Sequence, residues 1–163
     1  MRQYIRDRTA GTTYFFTLNL LNRQNNLLTT HIDILRSTYR NAQKSMPYTL
    51  HAMVVLTDHL HMLLTLPEND ENYPQRISQI KSHFSRALPK IETINISRQN
   101  KGERGIWQRR YWEHRIRDEL DFQRHMDYIH KTWLCESCNR LALFNLSSMC
   151  TRWNLYGGLG CAK

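Results

Sequence analysis

The sequence predicts an α+β fold in which an antiparallel sheet is covered by helices. Three observations carry this. The chain alternates short aromatic and β-branched runs with longer segments of helical period. Two of the strand-like runs are separated by only two residues, Thr57 and Asp58, which forces an antiparallel pair. Its 163 residues suffice for one core and are too few for two comfortable domains.

Thr13 to Leu20 follows Gly11 and carries Tyr14, Phe15, Phe16 and Leu18, and is expected to be a strand. In His31 to Met46 the residues Leu35, Tyr39, Ala42 and Met46 recur at helical spacing. Thr30 is the expected N-cap, Asp33 a weak capping-box partner and Pro47 the stop. Tyr48 to Leu56 and His59 to Leu66 are expected to be the hairpin strands, the second ended by Pro67. Glu68 to Asn72 is loop-like, and Pro74 suits the first turn of a helix whose row is Ile77, Ile80, Phe84 and Leu88. Lys90 to Arg104 lacks periodicity and is expected to be a mobile basic loop. Ile106 to Ile116 is expected to be a further strand, and Asp118 opens a last helix with Phe122, Met126 and Ile129 on its buried side. The first six elements match a split β-α-β of ferredoxin-like, RRM-like type, with the last helix added at the C-terminal side.

The formal charge is +9, which favours an anionic partner. No run of ~18 apolar residues offers a membrane span, and residues 1–6 lack a secretory apolar stretch, so the expected location is the cytoplasm. Between positions 81 and 117 the basic residues include Lys81, Arg86, Lys90, Arg98, Lys101, Arg104, Arg109, Arg110, Arg115 and Arg117, against Glu92, Glu103 and Glu113. Such a stretch can track phosphates without reading sequence; it is also what a solvated surface looks like. Tyr14, Phe15, Phe16, Trp107, Tyr111 and Trp112 lie in or beside basic stretches and suit stacking on unpaired bases, although the same rings also fill cores.

Two constellations can do chemistry. His59-Leu60-His61 on a strand sends both imidazoles to one side and Leu60 to the other. Such a pair can hold a divalent cation and leave positions open for a phosphate, while strand histidines are also common without a metal. Tyr128, in Asp127-Tyr128-Ile129-His130, can attack a phosphodiester through its phenolate or simply pack at a core edge.

The run His51 to His61 is similar to the histidine-hydrophobe-histidine strand of IS200-like transposases. Gly105-Ile106-Trp107-Gln108-Arg109-Arg110-Tyr111-Trp112-Glu113-His114, followed by Asp127-Tyr128-Ile129-His130, resembles the branch of REP-associated tyrosine transposases. The likeness covers roughly residues 4–130. It implies a ferredoxin-like domain, placed at residues 4–134, that nicks and transfers single-stranded DNA beside palindromic hairpins. It implies Mg²⁺ or Mn²⁺ on His59 and His61, and a 5′-phosphotyrosine link through Tyr128. Tyr111 is a second-ranked tyrosine. Arg86, Arg104, Trp107, Gln108, Arg109, Arg110, Tyr111, Trp112 and Arg115 are the candidate DNA contacts. Relatives include both monomers and homodimers. Two other functions remain open: a hairpin-binding protein that no longer cuts, and an RNA-binding RRM-like sheet. The RNA-binding alternative is disfavoured because the first strand lacks that family's aromatic-basic signature.

The chain departs from this family after Tyr-Ile-His. Members continue with a segment close to x-N-P-V-K-H-G, whose asparagine is expected to complete the metal site; Thr132 stands there, and a hydroxyl is a poorer ligand than an amide oxygen. Residues 135–163 form an atypical tail that holds all four cysteines, Cys135, Cys138, Cys150 and Cys161. Cys135-x-x-Cys138 has zinc-ligand spacing, whereas the other two are loosely placed. Read one nucleotide later with synonymous codons chosen to suit, His130 to Gly160 gives a string with K-H-G and D-W-P-Y-S, resembling the family's usual ending. The expectation is an out-of-frame deletion near Lys131. Sequencing the gene checks it: the codons of 130–160 should spell the family ending in the second frame, and incompatible codons reject the idea.

Overall fold

The computed structural model describes residues 8–90, 92, 94–136 and 142–144, with side chains to residue 132. Its elements run β1 (Thr13–Asn19), α1 (Leu27–Thr30), α2 (Ile32–Ser45), β2 (Thr49–Val55), β3 (His59–Thr65), α3 (Tyr73–Ala87), α4 (Ile96–Gln99), β4 (Trp112–Arg115), α5 (Glu119–Glu136) and β5 (Ala142–Phe144). The sheet order is β4-β1-β3-β2-β5, and every pairing is antiparallel. The expected α+β, ferredoxin-like arrangement is present in β1 to β4. The added edge strand β5 lies in the tail and was not expected.

The strands lack strict alternation because both faces of the sheet are covered. One face presents Tyr14, Phe16 and Leu18 of β1, Met53 and Val55 of β2, and Leu60, Met62 and Leu64 of β3. Leu35, Tyr39 and Ala42 of α2 and Tyr73, Ile77, Ile80 and Phe84 of α3 pack on it. The other face carries Phe15, Ala52, Val54 and Leu63, and receives Ile129, Phe122 and Met126 of α5. β2 and β3 are joined through Thr57 and Asp58, and Leu56 N donates to His59 O at 2.8 Å. β2 shifts register between Leu50 and Ala52, where His51 Nε2 meets Thr65 Oγ1 at 2.7 Å.

Local chemistry explains the ends. Asn72 caps α3, its side chain accepting from Gln75 N, with Pro74 in the first turn. Asp121 N donates to Asp118 Oδ1 at 2.8 Å at the start of α5. Three expectations need correction. Thr30 does not cap α2, because 27–30 is itself a helical turn and His31 takes the cap position without a side-chain bond. The strand expected over Ile106 to Ile116 is only Trp112–Arg115; upstream, a single bridge joins Trp107 to Leu20, after Gly105 has turned the chain at φ 72°. The segment expected to be a mobile basic loop contains α4, capped by Asn95, and is tied down by its own cations. Arg104 bonds the Glu92 carboxylate and the carbonyls of Ser85, Leu88 and Pro89. Arg98 bonds Glu103 and the Trp107 carbonyl. Cys138, Cys150 and Cys161, the side chain of Cys135, and with them the zinc alternative, lie outside the described residues.

Arg76 is the largest fully buried side chain, at 1 % exposure. Its guanidinium bonds Asp70 Oδ2 at 2.7 Å and the carbonyls of Met46, Pro47 and Asn72. It thereby joins the end of α2 to the start of α3. Arg76→Ala should cost about 2–3 kcal/mol, since it removes a buried side chain and its part-buried bonds to a carboxylate and three carbonyls. Urea unfolding checks this, and a loss under about 1 kcal/mol would show that water replaces the guanidinium.

Candidate active site

The period of two in β3 sends Leu60, Met62 and Leu64 into the α2/α3 layer and sets His59 and His61 on the face that α5 covers. Their rings stand edge to face with centroids 5.0 Å apart. Each Nδ1 is held. His59 Nδ1 meets Asp58 Oδ1 at 2.6 Å, and His61 Nδ1 meets Thr17 Oγ1, its cross-strand partner, at 2.8 Å. With a hydrogen on each Nδ1, each Nε2 carries a lone pair, as metal-ligating histidines require, and that of His61 faces the Tyr128 hydroxyl. His61 is buried to 5 % exposure. Burial, then the charge of His59, pushes its pKa down to about 4, so the ring is neutral near pH 7. This donor set fits a divalent cation.

α5 brings Tyr128 to the same place. Phe122, Met126 and Ile129 pack toward the sheet, and Tyr128, at 48 % exposure, stands at the edge of the covered face. Its hydroxyl lies 3.4 Å from His61 Nε2, and its ring crosses that of His61 with centroids 5.1 Å apart. Phe15 lies beneath both, 5.5 Å from His61 and 5.9 Å from Tyr128. Thr132, one turn further along α5, donates its hydroxyl to the Tyr128 carbonyl at 2.8 Å, so its hydrogen is committed to the helix backbone.

The structure thus gathers His59, His61 and Tyr128, and sets most of the other candidates apart from them. Trp107 is buried against Phe84, and the Arg104 guanidinium is occupied by protein oxygens. Tyr111 packs at the edge of the α2/α3 core, over Phe16 and under Lys81 Nζ. Gln108 is held through its backbone by Asn19 and Lys81, and Arg109 is paired to Glu103 at 2.9 Å. Arg86, Arg109, Arg110, Trp112 and Arg115 are exposed. A groove of about 750 Å³ is lined by Lys81, Arg86, Arg98, Lys101, Arg109 and Tyr111, among others. It opens on the α3 side of the sheet, whereas Tyr128 is on the α5 side. Exposed Trp112, on edge strand β4, shares the α5 side, its ring 5.7 Å from Phe15. Asp58 and Thr17 belong to the site without having been candidates in the sequence, and Phe15, expected as a ring for stacking on bases, is instead buried beneath His61 and Tyr128. Asp58 was adjacent to His59 and detectable; Thr17 and Phe15 join the site only through the β1–β3 register.

The family model described as Transposase IS200 like matches residues 10–132. A protein of Haemophilus influenzae named as a REP-associated tyrosine transposase is 47% identical over 131 residues, 80% of this chain and 74% of that one. The REP-associated tyrosine transposase of Escherichia coli K12 is 38% identical over 130 residues, 80% of this chain and 71% of that one. The solved structure of a REP-associated tyrosine transposase bound to a REP hairpin is 36% identical, with a TM-score of 0.69 over 83% of this chain and 74% of that one. A transposase structure from Deinococcus radiodurans shares the fold, at TM-score 0.51 and 19% identity, over 80% of this chain and 97% of that one.

The lowered pKa of His61 makes stability depend on pH. The unfolded chain, with the ordinary value of 6.5, binds the proton more readily than the folded one. Stability from this group is therefore complete above pH 6.5 and falls as the pH drops from 6.5 toward 4, by about 3 kcal/mol in all. Urea unfolding in chelator at several pH values should show this slope, and His61→Gln should flatten it. An unchanged slope in H61Q would place the titration elsewhere.

Proposed function

The chain belongs to the IS200-like transposases, among the REP-associated tyrosine transposases, and from that membership we propose that it nicks and rejoins single-stranded DNA at palindromic hairpins through Tyr128. The observation that carries this is the 3.4 Å approach of the Tyr128 hydroxyl to His61 Nε2, which sets a phenol beside a paired-imidazole site. The hairpin bound in the solved relative supports the substrate class.

Tyr128 Oη forms a bond to the scissile phosphorus, and the bond from phosphorus to the 3′ oxygen breaks. The phenolic proton leaves Oη, and the departing 3′ oxygen takes up a proton. The DNA 5′ end stays on the protein as a phosphotyrosine, and the reverse attack by a 3′ hydroxyl rejoins a strand. His59 and His61 would hold Mg²⁺ or Mn²⁺ through Nε2, and such an ion, when bound, polarises the phosphate. Asp58 and Thr17 hold the two rings in the tautomer that this needs. His61 Nε2 has one lone pair, so it serves either the phenol or the cation. Arg86, Arg109, Arg110 and Arg115 supply cations for phosphates, and Trp112 supplies a face for an unpaired base.

A second function, hairpin binding without cutting, is favoured by one observation. Thr132 stands where the family's asparagine is expected, and its hydroxyl is turned onto the Tyr128 carbonyl. The family match ending at residue 132 supports placing the catalytic domain before an atypical, frame-shifted tail at 135–163.

Incubation with hairpin-flanked single strands and Mn²⁺ should give a covalent protein–DNA adduct that is absent from Tyr128→Phe and from His59→Ala. Thr132→Asn should raise the yield about tenfold, as a restored ligand does. Equal cleavage by the chain and Y128F rejects Tyr128 as nucleophile. Binding without an adduct, even in T132N, selects the second function.

A further inference from the structure

A second group of metal-ligating side chains lies where α5 begins. Asp121 and His125 are four residues apart on α5 and share a helix face, and His114 of β4 stands opposite. One ring nitrogen of His114, one of His125 and a carboxylate oxygen of Asp121 all lie within 4.8 Å of one another. Nε2 of His114 is 2.8 Å from Asp121 Oδ2, and Nδ1 of His125 is 3.2 Å from Asp121 Oδ1. Zinc bonds to nitrogen and carboxylate oxygen are about 2.0–2.2 Å long and tetrahedral. Neighbouring ligands are then separated by roughly 3–3.5 Å, close to the spacing found here.

The ligands are also prepared. His114 is stacked against Trp112 at 5.8 Å and 4°, and against His125 at 4.8 Å and 21°. Phe15 packs on His125 at 4.7 Å, so both rings are confined. The side chains keep 24 %, 18 % and 19 % exposure, enough to admit an ion with water on its remaining position.

We infer that His114, Asp121 and His125 form a second divalent-cation site, of the Zn²⁺ class, that fastens α5 to β4. Two nitrogens and one carboxylate select a borderline ion over Mg²⁺, which prefers oxygen. On binding, His114 Nε2 and His125 Nδ1 give their lone pairs to the ion and carry their hydrogens on His114 Nδ1 and His125 Nε2. Each imidazole that begins protonated releases one proton. The contact of His125 Nδ1 with the Asp121 carbonyl, now 2.8 Å, is given up. The site is separate from His59 and His61 and does not rest on the nucleophile assigned to Tyr128.

The test uses Co²⁺ and Zn²⁺ on the full chain carrying His59→Ala and His61→Ala, with all four cysteines changed to serine. One equivalent of Co²⁺ should bind, with the visible bands of a four- or five-coordinate nitrogen–oxygen site and no thiolate band. Zn²⁺ should raise the melting temperature. Asp121→Asn and His125→Asn should each abolish both effects. No bound equivalent in this background, or binding that survives both substitutions, overturns the site. If the background does not fold, the count is made on the otherwise intact chain. Asp121→Asn must then remove one equivalent and leave any thiolate band unchanged, and an unaltered count overturns the site as well.

Discussion

The docking of α5 on one face of the sheet is the constraint from which the rest follows. The strands alone supply His59 and His61, and a sheet bearing two imidazoles is chemically inert toward a phosphodiester. Only when α5 lies across β3 does a phenol arrive at His61. Among the described side chains, the apolar part of that docking comes from Ile129, which is fully buried, and from Phe122 and Met126, which are partly so. The polar contact of Asp121 with His114 of β4 sits nearer the start of the same helix. It resists the rotation and slippage that burial alone permits, since one residue of slip would turn Tyr128 away from the imidazoles.

The opposite face shows how much stability the rest of the fold can spare. Tyr14, Phe16, Tyr73 and Phe84 are all fully buried, and Arg76 links two helices through the carbonyls of Met46 and Pro47. That layer is a rigid base that fixes the strand register, and register decides everything on the active face. Thr17 is opposite His61, and Phe15 opposite Leu63. A shift of one residue would point both histidines into the α2/α3 core.

What the sequence revealed follows from which interactions are local. Strands, the tight hairpin and the rows of α2, α3 and α5 are periodic in the chain, so β1 to β3 and the three long helices were legible, as was the shared face of His59 and His61. The segment 90–116 was not. Its structure is made by cations reaching across the chain: Arg104 to carbonyls at 85, 88 and 89, and Arg98 to the Trp107 carbonyl. Composition reads those arginines as solvent-facing, whereas the fold turns them inward. Trp107 misled for the matching reason, because an aromatic beside basic residues has the same sequence whether it stacks on a base or fills a core. The ring of contacts around Phe15 was hidden because its members come from β1, β3, β4 and α5.

Geometry also constrains any path for DNA. The groove among Lys81, Arg98 and Arg109 and the phenol of Tyr128 are on opposite sides of the sheet, so a strand that touches both has to pass an edge. The sheet ends at β4 on one side and at β5 on the other, and β4 is the edge whose side chains are described. That strand is four residues long, and its exposed Trp112 faces the α5 side next to Phe15, while its neighbour Tyr111 packs on the α3 side. Two adjacent aromatic residues therefore look to the two faces at the β4 edge. For the proposed hairpin substrate, a path over β4 would let cations hold phosphates on one side while an unpaired base stacks beside the imidazole pair on the other. Cations beside His61 would repel a divalent ion at its Nε2, so the proposed metal site is better served by a basic segment that stands away from it.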